Sequence, residues 1–166
     1  MLRLVTLPNL LLTWALASEE PSLAALNADS TGDLEITETL INNFTTSLAS
    51  ANIALHFLFG SWSPALASAI PASSPDAGLL ILAAETIYSP SSTIAFTELL
   101  VTLLKRVKMS KAMIGAKRIY FGVGGSVDGL KEACRELGAV AYEIENHGVQ
   151  GMDVGVGRAL VEVQMY

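Results

Sequence analysis

The chain has 166 residues, 51% of them hydrophobic and 16% charged, which suits one folded domain and excludes an intrinsically disordered chain. Its net charge of −6 argues against tight non-specific binding of nucleic acid. The single cysteine, Cys134, excludes an intramolecular disulfide and fits a reducing compartment. The two histidines, His56 and His147, are far apart and no metal-ligand spacing occurs, so we predict no metal site.

The first seventeen residues have two interpretations. Residues 2–17 are mainly apolar and predict a buried helix, with Pro8 interrupting the run. The same stretch, which ends in Ala15-Leu16-Ala17 before Ser18, also has the form of a secretory leader with a small-residue cleavage site. It is too short and too interrupted to span a bilayer, so no membrane anchor is predicted.

The next part of the chain predicts a surface insertion followed by a helix. Residues 18–36 are polar and rich in turn formers, which is typical of an exposed loop. Thr37 can then cap a helix whose apolar residues recur at helical spacing, namely Leu40, Ile41, Phe44 and Leu48.

Two strands separated by a loop are predicted in the middle of the chain. Residues 53–59 form a short strand, on which His56 is expected to be a core histidine. Residues 64–77 are rich in Pro, Ala and Ser and predict a loop. Residues 79–83 are apolar at every position, which is typical of a parallel strand buried on both faces.

The remaining residues alternate between helices and strands. Ser89-Pro90 opens a helix, residues 112–120 form a strand, and Ser126 caps a further helix that Gly138 ends. The two helices bury stripes at helical spacing, namely Phe96, Leu99, Leu100, Leu103, Leu104 and Val107 in the first and Val127, Leu130, Cys134 and Leu137 in the second. Residues 139–145 and 159–165 alternate apolar with polar side chains and predict an antiparallel pair that closes the sheet.

Polar and aromatic residues occupy the points where two predicted strands end. Glu85-Thr86-Ile87-Tyr88 follows one strand, and Tyr120-Phe121-Gly122-Val123-Gly124-Gly125 ends the next. Neighbouring parallel strands bring such segments to one carboxyl edge, where open α/β sheets bind ligands. The sequence therefore predicts a ligand site at this edge in part of an α/β enzyme.

Four motifs give the chain a resemblance to a known family. Leu4–Asn9 (LVTLPN), Gly60-Ser61-Trp62, Glu85–Tyr88 and Tyr120–Gly125 occur in the same order and at similar spacing in histidine protein methyltransferases, and residues 18–36 suggest a fungal-type member. The resemblance implies a seven-strand enzyme that depends on S-adenosylmethionine and methylates a histidine of a large-subunit ribosomal protein. It also implies a cytoplasmic or nuclear protein that contacts neither membranes nor nucleic acid directly.

The resemblance also implies two strands that this sequence does not contain. In the family, a glycine-rich cofactor loop follows the first strand and an acidic residue for the ribose follows the second; both precede the equivalent of Met1, and neither occurs here. We therefore expect residues 1–166 to be the carboxyl-terminal part of a single methyltransferase domain. Its fold class is α/β, an incomplete class I (Rossmann-like) sheet that lacks the first two strands and ends in an antiparallel strand. Such a sheet is expected to leave strand edges unpaired.

The resemblance assigns roles to the strand-end residues. Glu85 would accept a hydrogen bond from the target imidazole and fix its tautomer, with Tyr88 and Tyr120 as further catalytic residues. The cofactor is assigned Ser61, Trp62 and Glu85, and the substrate-facing loop is assigned Phe121, Gly122, Gly124 and Gly125. From the residues alone, Glu85 can also be a helix cap or an ion-pair partner, Trp62 a core residue, and the glycine loop a plain turn.

Three functions therefore compete. The first is a protein-histidine methyltransferase that uses S-adenosylmethionine. The second is a non-catalytic binding module that keeps the substrate-facing edge of such an enzyme. The third is a small secreted protein with a leader at residues 1–17, for which the glycosylation sequon at Asn43 is the second indication.

Overall fold

A computed structural model describes residues 2–18, 34–72, 74, 76–145, 155 and 157–166. They belong to two compact units, Met1–Phe57 and Leu58–Tyr166. Most of the insertion expected at residues 18–36 lies outside the described residues. No helix of the described ranges is long and apolar enough to cross a bilayer.

The first unit is helical. A π-helical turn at Leu2–Thr6 leads into α1 (Leu7–Ala17), and α2 follows at Glu38–Ser50. The predicted cap is confirmed, because the Leu40 amide donates to the Thr37 hydroxyl at 3.1 Å. The helix predicted in residues 2–17 also forms, but its predicted burial is wrong. Only Leu11 and Ala15 of α1 are buried, because in the described part of this unit α1 packs mainly on the preceding π-helical turn and on α2.

Residues 53–59 do not form the predicted strand. They have no regular structure, and their side chains, including that of His56, are exposed, so the expected core histidine is also wrong. A strand needs a partner for its backbone N–H and C=O groups, and no described strand pairs with this segment. The loop predicted at residues 64–77 instead begins with α3 (Pro64–Ala69), whose Leu66 amide donates to the Ser63 hydroxyl at 3.2 Å.

The second unit contains a four-stranded sheet with the order β1-β2-β4-β3. The strands and their intervening helices are β1 (Leu79–Ala84), α4 (Pro90–Leu104), β2 (Ser110–Lys117), α5 (Val127–Glu136), β3 (Ala139–Ile144) and β4 (Arg158–Met165). β1 and β2 are parallel, and β4 runs antiparallel to both β2 and β3. The predicted antiparallel pair at the end of the chain is therefore confirmed.

The core of this unit lies between one face of the sheet and the two helices that cover it. Small and β-branched residues of β2 and β4 meet the apolar stripes of α4 and α5, and the largest fully buried members are Leu100, Leu104, Ile114, Leu130, Val161 and Val163. The predicted caps are confirmed, since Ser89 and Ser126 each accept a bond from the amide three residues later. These caps fix where α4 and α5 begin, directly after the two strand-end segments.

β1 is an edge strand of the described sheet. The Leu79 and Glu85 amides donate hydrogen bonds to carbonyls on the β2 side, at 2.8 and 2.9 Å. Because backbone groups alternate in direction along a strand, the N–H and C=O groups of Leu80 and Leu82 point to the opposite, open side. The prediction that this strand is buried on both faces is wrong for the described sheet, because Leu80 and Leu82 are 56% and 73% exposed. β1 itself contains no charge or proline that would protect this edge. The expected unpaired edge is therefore present, and such an edge is a template for another strand.

Candidate active site

The two strand-end segments lie side by side. β1 pairs in parallel with β2, with Ala84 opposite Gly115, so both strands end at the same edge. The Gly125 amide donates to the Tyr88 carbonyl at 3.2 Å, which joins the two loops directly. The prediction that these segments meet at one carboxyl edge is confirmed.

Glu85 has a backbone conformation that side-chain-bearing residues rarely adopt. Its φ is +55°, immediately after β1, while its amide still donates to the Gly115 carbonyl. A left-handed residue other than glycine costs free energy, and such residues cluster at functional sites. The turn at Glu85 leaves its side chain exposed at the strand end.

Tyr120 lies beside Glu85 and is almost fully buried. Its hydroxyl accepts a bond from the Lys117 amide at 3.2 Å, and the Glu85 carboxylate is close enough to act on it electrostatically. Burial raises the pKa of Tyr120, and Glu85 raises it further, while the Lys117 bond and the positive charge of Arg158 oppose this. Tyr120 is therefore a buried, neutral phenol beside the Glu85 carboxylate.

The glycines of the β2–α5 loop are explained by the packing of the chain on itself. Gly122 and Gly124 have φ values of +80° and +82°, which suit glycine in a tight turn. A Cβ on Gly125 would lie 2.0 Å from the Ile87 carbonyl oxygen, so no larger residue fits there. These glycines shape the loop, and the exposed side chains it carries are those of Phe121 and Val123.

Trp62 borders an apolar cavity beside the edge of β1. The cavity has a volume of about 350 Å³, and it extends from Trp62 past Ile81 to Ala84 and Thr86, the neighbours of Glu85. The edge of the Trp62 ring packs on Phe96, with 5.6 Å between the ring centroids, so Trp62 has a core contact as well as an exposed surface. Ser61 is exposed, and Tyr88 is half exposed. The roles assigned to these residues stay predictions.

Two cations that the motifs did not indicate border the site. The Lys117 ammonium lies 5.7 Å from the centre of the Tyr120 ring, and Arg158 is its direct partner across the β2–β4 pair. Neither makes a salt bridge within the described residues, whereas Arg118 is 2.6 Å from Glu143. The position of Lys117 near the end of a predicted strand could have indicated from the sequence that it borders the site. Arg158 is 41 positions away and becomes a neighbour only through the strand register.

Thr86 is a further polar group that sequence reasoning missed. Its hydroxyl oxygen is buried and has no hydrogen-bond partner in the described part of the chain. It lies on the wall of the apolar cavity beside β1. A buried unpaired hydroxyl is costly, so this atom marks a place where a polar partner would be stabilising.

This fold and site define a class of protein. A mixed α/β sheet with the order β1-β2-β4-β3, covered by α4 and α5 on one face and bearing polar residues at its carboxyl edge, is part of a Rossmann-like methyltransferase fold. Among the described residues, no group of three His, Cys, Asp or Glu side chains is placed to hold a metal.

Two curated proteins are similar to the chain. Histidine protein methyltransferase 1 of Schizosaccharomyces pombe is 39% identical over 127 residues, which cover 76% of this chain and 35% of the relative. Histidine protein methyltransferase 1 of Saccharomyces cerevisiae is 35% identical over 138 residues, which cover 76% of this chain and 36% of the relative. No protein-family profile matches the chain. The chain belongs to the histidine protein methyltransferase family, and it spans about a third of the length of these relatives.

Proposed function

We propose that the chain supplies the part of the active site that binds the methyl-accepting histidine in a protein-histidine N-methyltransferase. The observation that carries the proposal is the Glu85–Tyr120 pair, a strand-end carboxylate in a left-handed backbone conformation beside a buried tyrosine, in a member of this family. The proposed acceptor is a histidine of a large-subunit ribosomal protein. Support for that finer assignment comes from the sequence motifs alone.

The pair suits an imidazole substrate. Glu85 can accept a hydrogen bond from one ring N–H of the target histidine, which fixes the tautomer and leaves the lone pair of the other nitrogen free for methylation. The positive charge that develops on the ring is stabilised by the carboxylate. Tyr120 lies beside the carboxylate, and its O–H can donate to Glu85 and restrict the side chain before the imidazole binds.

Family membership implies S-adenosylmethionine as the methyl donor, and it would supply an electrophilic methyl group. The residues described do not fit the whole of this molecule. The side chains that line the cavity beside β1 are apolar apart from the Trp62 indole N–H and the Thr86 hydroxyl, whereas the donor carries an amino acid head group and ribose hydroxyls that need several polar partners. We therefore propose that the rest of the donor site is formed by polypeptide paired with β1.

Reconstitution tests this function. The chain would be mixed with the part of the Schizosaccharomyces pombe relative that has no counterpart here, with methyl-labelled donor and a histidine-containing ribosomal peptide. We expect histidine methylation in the mixture, its loss in Glu85→Gln, and no effect of Glu98→Gln, since Glu98 lies on the exposed side of α4. Methylation that is indifferent to Glu85, or none in any mixture, would contradict the proposal.

The incomplete donor site favours one alternative, a non-catalytic module that binds the substrate protein. A single measurement distinguishes this module from the first proposal. Peptide binding without methyl transfer in the reconstituted mixture would favour the module.

A further inference from the structure

Glu143 joins the two ends of the chain segment that carries Tyr120. It lies on β3, and its carboxylate pairs at 2.6 Å with Arg118, which directly follows β2, and at 2.6 Å with Lys131 of α5. Arg118 uses one carboxylate oxygen and Lys131 uses the other, so both pairs form at once. Residues 118–131, which we call the Tyr120 segment, also contain the glycine loop. One side chain therefore holds this segment at both ends.

The sheet fixes the position of Glu143. This residue is opposite Val161 in the β3–β4 ladder, and 28% of its side chain is exposed. The bonds from Lys131 and Arg118 hold the pKa of Glu143 below its usual value, against the opposing effect of burial, so the group is a carboxylate at neutral pH. Ion pairs as exposed as these contribute little to global stability. Their main consequence is therefore the local geometry of the Tyr120 segment.

Arg118 connects the ion pairs to the Tyr120 hydroxyl. Its amide donates to the Gly157 carbonyl at 3.1 Å, and its carbonyl accepts from the Val127 amide at 3.1 Å, so its backbone is fixed from two sides. The preceding residue, Lys117, donates its amide to the Tyr120 hydroxyl at 3.2 Å. The chain thus bends back on itself between Lys117 and Tyr120, with Arg118 inside the bend. A displacement of Arg118 would move the amide that holds the hydroxyl.

We propose that Glu143 is a positioning residue of the candidate active site, which clamps both ends of the Tyr120 segment and thereby holds the Tyr120 hydroxyl beside Glu85. It acts through Arg118 and not on the substrate. The inference rests on the proposed function, in which Tyr120 restricts the Glu85 side chain. The positioning itself is measurable in the chain without substrate, because the bond between Lys117 and Tyr120 lies within the chain.

Hydrogen exchange at the Lys117 amide, followed by NMR in the full chain, tests this inference. Tyr120→Phe removes the acceptor and gives the exchange rate expected without the bond. Glu143→Gln should raise the Lys117 exchange rate toward that value by about fivefold, the most that one exposed ion pair is expected to contribute. Ile114, which has strand partners on both sides in the middle of β2, should keep its rate because the sheet stays folded.

Variants of Arg118 test the path, and Glu132 supplies the matched control. Arg118→Gln should have the same effect as Glu143→Gln, and the double variant should add nothing to either. Arg118→Lys keeps the cation and should retain part of the protection. Glu132→Gln removes the same charge from an ion pair with Arg135 that lies wholly within α5, so it should leave Lys117 exchange unchanged.

The outcomes separate the inference from the function on which it rests. Lys117 exchange that is the same in Glu143→Gln and in wild type would overturn the inference, and so would an equal effect of Glu132→Gln. In the reconstituted mixture, Glu143→Gln should lower the methylation rate less than Glu85→Gln does. A lower rate without a change in Lys117 exchange would contradict the inference. If Lys117 exchange changes as expected while no mixture methylates histidine, Glu143 still positions Tyr120 and the proposed function fails.

Discussion

Gly125 packs directly on the backbone of the loop that follows Glu85. Its amide donates a hydrogen bond to the Tyr88 carbonyl at 3.2 Å. Its α-carbon lies so close to the Ile87 carbonyl that an added Cβ would be 2.0 Å from that oxygen. This contact joins the ends of β1 and β2, and with them Glu85 and Tyr120, into one site.

Gly125→Ala should therefore destabilise the second unit strongly. The new methyl group has no room against backbone atoms, and we expect a loss of about 3 kcal/mol in the free energy of unfolding, measured by urea denaturation. Gly122→Ala is the comparison, because nothing lies within 4 Å of a Cβ there and only its φ of +80° opposes the substitution. We expect about 1 kcal/mol for Gly122→Ala. Equal losses would show that the close contact is absent.

Glu85→Gln should lower the pKa of Tyr120. The substitution removes a negative charge and a charged acceptor, but burial, the largest cause of the raised pKa, remains. The pKa of Tyr120 can be measured by ultraviolet absorbance during a pH titration, and subtracting the titration of Tyr120→Phe removes the signal of the other tyrosines. Because the pKa is raised in the folded state, the stability gained from neutral Tyr120 is present below its usual pKa and is lost as the pH rises through the raised value. An unchanged Tyr120 pKa in Glu85→Gln would mean that the two groups do not interact.

Leu82→Lys should reduce self-association of the chain. Leu82 is the most exposed residue of the unpaired β1 edge, and a lysine there would oppose pairing with another strand. We expect the dissociation constant for self-association, measured by sedimentation velocity, to rise about tenfold. Ile94→Lys is the matched control, since Ile94 is also exposed but lies on α4. An equal effect of both variants would show that general surface charge, not the strand edge, governs association.

Cys134 should react slowly in the folded chain. Burial raises its pKa from 9.0 to about 11, so its thiolate fraction near neutral pH is about a hundredfold lower than in the unfolded chain. Alkylation by iodoacetamide, followed by mass spectrometry, should be slow in buffer and fast in urea. The raised pKa also predicts that stability falls as the pH rises from about 9 toward about 11. Rapid alkylation of the native chain would contradict the burial of this helix face.

Local patterns predicted α1, α2, α4 and α5, and the edge at which the two strand-end segments meet. Thr37, Ser89 and Ser126 cap helices as expected, because a cap depends on residues only three positions apart. The meeting of the strand ends also followed from sequence, since parallel neighbours share a carboxyl edge.

Several features that depend on distant partners were missed or predicted wrongly. Residues 53–59 have the composition of a strand but no described strand to pair with. The burial expected of residues 2–17 failed for the related reason that, among the described residues, α1 packs mainly on the preceding π-helical turn and on α2. The Tyr120–Glu85 pair and the Lys117–Arg158 pair depend on side-chain direction and strand register, which a single sequence does not specify.

The most direct test of the central claim is nitrogen NMR of a peptide whose histidine carries labelled ring nitrogens. If Glu85 holds the target imidazole, binding to the chain should shift the ring into one neutral tautomer with a hydrogen-bonded N–H, and Glu85→Gln should abolish that signature. A bound histidine that keeps the tautomer mixture of the free peptide, or the same signature with Glu85→Gln, would contradict the account.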